Sequence, residues 1–414
     1  MRAHAHALLA LLCLGGTLHA SDQPLLDLLV ANGTITQEQA DDVRRQLAET
    51  AAQAEEVPPS RPDGVASAHP PAPAQAVERV LVTPARNTIS ELKIRGRIQG
   101  QFAYSDGSNS GASGDAGDYN TFELRRVRLG VQGKIFDDWR FLVEANVLTD
   151  TDLDSATLTW TANPLANITF GKAKPQFGHE ENTSSASILT LERSRLTGIF
   201  NGGKPLGLRL HGNAGMFGYY AGVFNGESVE TGRMTSDMDS ALWNLSGELK
   251  LDELIGDGHQ LRFRGDYLHR DSEDGYYRFE HAFALSGHYA RGAFDLRTEY
   301  MWGEDENSAQ IHGFYVMPSF YLVPKTLQAV LRYENISGDE GVSLGRNRYA
   351  DRVPDLYGSG NEYAAYYAGL NYYIYGDNLK LMAGIERAES KDGSDVSTAK
   401  GRSTTFISGV RMQF

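Results

Sequence analysis

The chain has 414 residues, with 53 acidic against 39 basic side chains, a formal net charge of −14 and a mean hydropathy of −0.39. No apolar run reaches the roughly 18 residues that a transmembrane helix needs, so the mature chain is not expected to cross a membrane with helices. No cofactor and no nucleic-acid partner are expected.

The first 20 residues predict a secretory signal peptide. A positively charged start precedes an apolar stretch, Ala7 to Leu14, and then small residues, which predicts cleavage after Ala20. Cys13 is the only cysteine and should leave with the signal. The mature chain would then have neither a disulfide nor a thiolate metal site.

Residues 21–56 predict a short helical segment that differs from the rest of the chain. Thr36 and Gln39 resemble a capping box before the second helix, whose apolar residues follow at roughly heptad spacing. That helix either stands alone or pairs with copies from other protomers as a coiled coil. Residues 57–88 are rich in proline and alanine, which predicts an extended, semi-rigid linker on the periplasmic side.

Residues 89–414 predict an all-β fold, a 16-stranded antiparallel transmembrane β-barrel in a bacterial outer membrane. In residues 92–104 apolar or small side chains occupy the even positions and polar ones most of the odd positions, the period of a strand with one lipid face and one water face. Tight turns then alternate with long polar loops, of which 105–121 is the first. This alternation is typical of bacterial outer-membrane barrels, and about sixteen strands leave a water-filled lumen.

A family resemblance begins at the second predicted strand. Residues 122–139 contain a Glu-Leu-Arg-Arg-x-Arg-Leu segment, and residues 168–178, continuing to 191–194, contain a second matching run. Both resemble the phosphate-selective porin O/P family, with motifs over about 120–195 and a similar layout over about 90–414. The resemblance implies a trimeric porin whose third long loop folds into the lumen. In the best-known members, basic lumen residues conduct anions and favour phosphate.

The charge pattern predicts a basic lumen wall despite the acidic chain, because many acids fall in the long loops. Arginine and lysine along a narrow pore replace part of an anion's hydration shell, and arginine donates paired N–H groups to phosphate. Alternatively, basic residues facing acids create a transverse field without phosphate specificity. The predicted pore-lining basic residues are Lys93, Arg95, Arg97, Arg126, Arg128, Lys134, Arg140, Arg209, Arg262 and Arg264, with Arg297, Arg332, Lys380 and Arg411 at further inward positions.

The connection 175–205 is the longest and is the predicted constriction loop. Its charge is mixed, and its two adjacent glutamates are expected to oppose anions. The sequence therefore leaves the identity of the solute open. The predicted constriction residues are Lys172, Lys174, His179, Glu180, Glu181, Arg193, Arg195 and Lys204.

The function predicted from these features is passive diffusion of small hydrophilic solutes, with an anion preference and phosphate selectivity as the finer hypothesis. One alternative is a general pore, or a pore for sugars or aromatic compounds. Such a pore would use an inward tyrosine track formed by Tyr315, Tyr321, Tyr363, Tyr367 and Tyr373. The other alternative is a barrel that anchors an outer-membrane enzyme or adhesin.

The remaining signals concern assembly and metals. Phe414 ends an alternating segment and resembles the assembly signal of outer-membrane barrels, which the barrel assembly machinery recognises. The expected partners are outer-membrane lipid and small anions such as phosphate, and a homotrimer is implied by the resemblance alone. No catalytic or metal site is expected, because His211, His281 and His288 fall on three separate strands.

Overall fold

The computed structural model describes residues 37, 41, 89–110, 114–136, 138–148, 152–226, 241–271, 277–356, 360–391 and 400–414. The predicted signal peptide and linker lie outside these residues, and so does the predicted helical segment apart from two positions. No helix in the described part of the chain is long and apolar enough to cross a membrane.

Sixteen strands form one closed antiparallel barrel, in which each strand pairs with its neighbours in sequence and β1 pairs with β16. The predicted fold class is confirmed. The strands are β1 (Ile89–Asn109), β2 (Asp115–Ile135), β3 (Trp139–Asn146), β4 (Asp152–Asn163), β5 (Ala166–Lys172), β6 (Leu206–Ala214), β7 (Phe217–Asn225), β8 (Ala241–Lys250), β9 (His259–Arg270), β10 (His281–Arg291), β11 (Phe294–Glu304), β12 (Gln310–Val323), β13 (Leu327–Gly338), β14 (Glu362–Tyr373), β15 (Leu379–Lys391) and β16 (Lys400–Gln413).

Short helices occur in the connections between strands. They are α1 (His179–Asn182) and α2 (Arg195–Ile199) between β5 and β6, and α3 (Asp252–Ile255) between β8 and β9, with a 3-10 turn at Ala350–Arg352. Ser194 caps α2, because its side chain accepts a hydrogen bond from the Thr197 backbone N–H.

Alternation along β1 has the predicted sense. Gln99 and Gln101 are almost fully buried on the inner face, whereas Ile98 and Tyr104 are exposed on the outer face. Because an apolar side chain exposed on a barrel of this kind meets lipid, the outer face supplies the hydrophobic surface that holds the barrel in a membrane.

The prediction of a loop at residues 105–121 is wrong over most of that range. Strand β1 continues to Asn109 and β2 begins at Asp115, with Ser105 paired opposite Tyr119. Polar side chains occupy both faces of this hairpin, so the apolar alternation that marks a strand is lost although the backbone ladder continues.

The barrel closes where the last residue meets β1. The backbones of Gly96 and Phe414 exchange two hydrogen bonds of 2.8 and 3.1 Å. A Cβ atom on Gly96 would lie 2.2 Å from the Phe414 ring, so the ring packs directly over the glycine. This position at the seam is compatible with the assembly role of Phe414, which stays a prediction.

Candidate functional site

The connection 173–205, called here the lumen loop, lies inside the barrel and is held by inward side chains of several strands. The Gly178 N–H donates to Asp266 on β9 over 2.9 Å, and the Leu196 N–H donates to Glu334 on β13 over 3.2 Å. Backbone groups that are buried away from water need such partners. The loop therefore folds into the lumen along a defined path.

Inward basic residues on the far strands bind this loop. Arg332 on β13 is buried and lies 2.9 Å from Glu386, 3.5 Å from Glu334 and 3.7 Å from Glu180 of α1. Arg411 on β16 donates to the Ile188 carbonyl over 3.1 Å. These arginines, which the sequence analysis placed along the pore, are covered by the loop.

Lys380 on β15 and Asn371 on β14 act in the same way. They donate to the carbonyl groups of Ile188 and Leu189 over 3.4 and 2.8 Å. We call strands β8–β16 the covered wall, because their inner face carries the lumen loop.

The opposite strands, β1–β6, face a chamber of about 660 Å³ and form what we call the open wall. Ten basic and four acidic side chains line this central chamber, so its formal charge is strongly positive. The basic residues are Arg95, Arg97, Arg125, Arg126, Arg128, Lys172, Lys174, Arg193, Lys204 and Arg209, and the acidic residues are Glu144, Asp152, Asp154 and Glu181.

Several of these basic groups are neutralised by nearby acids. Arg128 lies between Glu144 and Asp154, at 3.4 and 2.9 Å. Glu181 of the lumen loop is shared by Lys174 and Arg193. Such pairs produce local dipoles rather than a net positive potential.

Three arginines of the central chamber differ from these paired residues in their partners. Arg97 donates to Ser185 and Ser184 over 2.5 and 3.1 Å, Arg126 donates to Gln99 over 2.9 Å, and Arg209 donates to the Lys174 backbone carbonyl over 3.5 Å. None of the three has an ion pair within the described residues. Their charges therefore supply the uncompensated part of the chamber's potential.

Two further chambers adjoin the central one along the open wall. The outer chamber, of about 250 Å³, includes residues of the long connection between β13 and β14 and shares Arg125, Arg126 and Arg193 with the central chamber. The inner chamber, of about 440 Å³, is lined by Lys93, Lys134 and Arg140 together with Glu91, and shares Leu142 and Thr157 with the central one. Basic side chains thus line all three chambers.

Comparison with known proteins agrees with this arrangement. Residues 93–276 match the family described as phosphate-selective porin O and P. Porin O of Pseudomonas aeruginosa is 29% identical over 108 residues, which are 25% of this chain and 24% of that protein. The match thus spans about a quarter of the relative's length. The resemblance to the porin O and P family is confirmed.

Three solved structures share the fold at low sequence identity. The anion-selective porin from Comamonas acidovorans has 12% identity and a TM-score of 0.53, over 78% of this chain and 99% of that chain. The trimer form of OmpT from Vibrio cholerae has 14% identity and a TM-score of 0.51, over 78% and 99%. OprB of Pseudomonas putida has 11% identity and a TM-score of 0.53, over 77% and 94%. Family and fold together confirm the bacterial outer-membrane location.

The sequence analysis missed Arg125. In the β1–β2 ladder Gln99 pairs with Arg126 and Gly100 pairs with Leu124, so Arg125 is an extra, bulged residue. A bulge redirects side chains, and here both neighbouring arginines point inward. The available signal was the Arg-Arg pair itself, because strict alternation would put one of the two charges in lipid.

Arg125 forms a two-armed contact with Glu192 of the lumen loop, at 2.7 and 3.2 Å. Burial would raise the pKa of Glu192, but the charge and hydrogen bonds of Arg125 outweigh it and lower the pKa to about 2. Glu192 therefore remains ionised and neutralises Arg125 where the central and outer chambers meet.

The two adjacent loop acids do not face the solute path as free charges. Glu180 is buried and accepts hydrogen bonds from the hydroxyls of Ser194 and Thr197 at 2.8 and 2.7 Å. Glu181 is paired as described above. Burial lowers the pKa of His179 to about 4, so this imidazole is neutral at pH 7.

The other predicted residues lie away from the central chamber or are paired. Arg262 pairs with Asp252 of α3 at 3.1 Å, and Arg264 pairs with Asp266 at 2.7 Å. Arg195 donates to the Leu344 carbonyl over 2.7 Å and lines the outer chamber. These side chains support the wall and the loop more than they add free charge.

The tyrosine track belongs to the covered wall. Tyr315, Tyr363, Tyr367 and Tyr373 are all buried, and Tyr321 is partly buried against Tyr373. The Arg332 Cζ atom lies 5.5 Å from the centre of the Tyr367 ring, and the Lys380 Nζ atom lies 5.3 Å from the centre of the Tyr373 ring. A protein cation thus lies against each of these two rings, and the track lies on the covered wall rather than along the central chamber.

Proposed function

We propose that the protein is an outer-membrane porin through which small hydrophilic solutes diffuse passively, with a preference for anions. The observation that carries the proposal is the set Arg97, Arg126 and Arg209, which line the central chamber without an ion pair in the described part of the chain. Fixed charge acts over a Debye length of about 8 Å at physiological salt. The potential at the constriction therefore depends on these residues and not on the chain's net charge.

Phosphate selectivity is the second and finer candidate. The Nε atoms of Arg97 and Arg209 are buried and have no hydrogen-bond partner among the residues that the structure describes. A guanidinium group offers paired donors that match a phosphate, so a phosphate ion in the chamber would satisfy donors that protein groups leave open. The matched family carries phosphate selectivity in its description.

The assembly we propose is a homotrimer surrounded by outer-membrane lipid and inserted by the barrel assembly machinery. The trimer form of OmpT, which shares the fold, supports the first part. A barrel that only anchors an enzyme or adhesin is the rival. The series of three chambers along the open wall favours a conducting barrel over this rival.

The experiment that tests the proposal is the reversal potential of the purified protein in a planar bilayer under a KCl gradient. We expect anion selectivity in the wild type and a shift toward cations in the Arg97→Gln, Arg126→Gln double variant. Arg387→Gln is the matched control, because Arg387 is exposed on the outer face of β15 and bonds only Thr404 across the strands.

Contrary results are easily recognised. A cation-selective wild type, or a double variant with the reversal potential of the Arg387→Gln control, would remove the anion proposal. Absence of ion conductance would favour an anchor barrel. Phosphate selectivity has its own measurement: if phosphate reduces the chloride current no more than sulfate does at equal ionic strength, the pore is a general anion porin.

A further inference from the structure

A pair of histidines lies on the outer face of the barrel, outside the solute path. His269 on β9 stands directly opposite His281 on β10, and their rings stack with centres 4.7 Å apart and planes 13° apart. Both lie at the strand ends that lead into the connection between β9 and β10. Sequence analysis placed His211, His281 and His288 on three separate strands, which is wrong because His281 and His288 both lie on β10, and it left out His269.

A carboxylate completes the cluster. One nitrogen of each imidazole and one oxygen of Glu280 all lie within 4.8 Å of one another, the only such group of His, Cys, Asp and Glu in the described part of the chain. A tetrahedral zinc ion with bonds of about 2.0–2.1 Å holds its ligand atoms roughly 3.4 Å apart. Small rotations of partly exposed side chains are enough to reach that spacing.

The second nitrogen of each ring is already engaged. His269 Nδ1 lies 3.3 Å from the Glu280 carbonyl oxygen, and His281 Nδ1 lies 2.9 Å from the Tyr267 hydroxyl. When each Nδ1–H donates to that oxygen, each Nε2 keeps its lone pair. Metal-binding histidines usually have such an outer partner, which fixes the tautomer and the ring orientation.

A further carboxylate stands beside the histidines. Asp271 lies 2.8 Å from His269 Nε2, while its other oxygen accepts a hydrogen bond from the Trp243 indole over 3.1 Å. His281 Nε2 in turn lies 3.5 Å from a Glu280 oxygen. Each Nε2 therefore lies beside an acid, so a proton on Nε2 donates to that acid and a metal ion would have to displace it.

We propose that His269, His281 and Glu280 bind a divalent transition-metal ion such as Zn²⁺, with Asp271 beside His269 but outside this ligand set. Two imidazoles with carboxylates suit Zn²⁺ and Cu²⁺, whereas Mg²⁺ and Ca²⁺ prefer oxygen ligands alone. The ion would join β9 to β10 across the rim of the barrel. Because the cluster is on the outer face, its occupation leaves the basic path unchanged.

Zinc binding to the untagged, chelator-treated protein in detergent tests this proposal, measured by equilibrium dialysis. We expect about one saturable Zn²⁺ per chain, and a loss of affinity of about tenfold or more in His269→Gln and in His281→Gln. His312→Gln is the control and should bind as the wild type does, since His312 is exposed on β12 outside the cluster. Each variant is first shown to be folded by its heat-modifiable migration in electrophoresis.

A second readout needs no variant. The electron paramagnetic resonance spectrum of the wild type with one equivalent of Cu²⁺ should show coupling to two imidazole nitrogens. No saturable zinc, equal affinity in all variants, or a copper spectrum without two nitrogen couplings would overturn the site. The KCl reversal potential is expected to be the same with and without Zn²⁺, so failure here is distinct from failure of the porin proposal.

Discussion

The open wall and the covered wall use the same residue types for opposite purposes. On β13 and β16, Arg332 and Arg411 bind loop carboxylates and carbonyls and are almost completely buried. On β2 and β6, Arg126 and Arg209 line the central chamber without an ion pair in the described residues. The contrast shows that an inward basic residue of this barrel can be either a loop contact or part of the chamber lining, depending on how the lumen loop packs against it.

The largest effect is expected when the covered wall is disrupted by Arg332→Met. Removing one partner of a buried ion network typically costs about 3–5 kcal/mol, because the remaining charges stay buried without compensation. Here Glu180, Glu334 and Glu386 would lose their shared cation. We expect a lower unfolding temperature in heat-modifiability electrophoresis and a higher, noisier single-channel conductance.

The matched control for this change is Arg387→Met on the outer face of β15. It removes the same charge and a similar volume where no loop is held. If the two variants conducted and melted alike, the lumen loop would be held by something other than Arg332.

The division between the two walls also separates what the sequence predicts from what it does not. Strand number and inward facing follow from local alternation, and β1 has the predicted faces over residues 92–104. The covering of Arg332 and Arg411 depends on contacts between residues more than 100 positions apart, such as Arg332 with Glu180 and Arg411 with Ile188. Alternation carries no information on such contacts.

Irregularities in the strands also limited what could be predicted from the sequence. The bulge at Arg125 shifts the face of one residue, and a pattern with period two has no means of marking it. The rim histidines were missed for a different reason, because their contact requires the register of β9 against β10. Sequence alone predicts the sheet but not which residues of two strands stand opposite each other.

Glu192 lies where the lumen loop meets the open wall, so changing it tests the contrast between the two walls directly. Glu192→Gln would keep a hydrogen-bonding side chain beside Arg125 but remove the charge that neutralises it. We expect stronger anion selectivity in the KCl reversal potential. Because the pKa of Glu192 is lowered to about 2, the wild type should not acquire this behaviour when the pH is reduced from 7 to 4.

Glu389→Gln is the control for that change. Glu389 pairs with Arg402 at 2.7 Å away from the chamber lining, so its neutralisation should leave the reversal potential unchanged. Equal shifts in the two variants would mean that total charge, rather than charge at the constriction, controls selectivity.

A smaller effect is expected from pH through Lys174 of the lumen loop. Burial lowers the pKa of Lys174 to about 8, although the charge of Glu181 opposes the shift. The ammonium charge is therefore present below pH 8 and lost above it. We expect the anion selectivity to fall between pH 7 and pH 9, and Lys174→Arg to retain its selectivity over that range. A fall of the same size in Lys174→Arg would assign the titration to another group.

The smallest effect on conduction is expected from Tyr373→Phe, which tests whether the covered wall contacts solutes at all. The Tyr373 hydroxyl donates to Gln328 over 2.6 Å, and its ring packs against Tyr321 and Lys380. Losing that hydrogen bond should cost about 0.5–1.5 kcal/mol of stability, seen as a slightly lower unfolding temperature. Chloride conductance should not change, and millimolar maltose or benzoate should affect wild type and variant currents equally. A current block by either compound that weakened in Tyr373→Phe would place this tyrosine on the solute path, and the covered wall would then have a conducting role that its packing argues against.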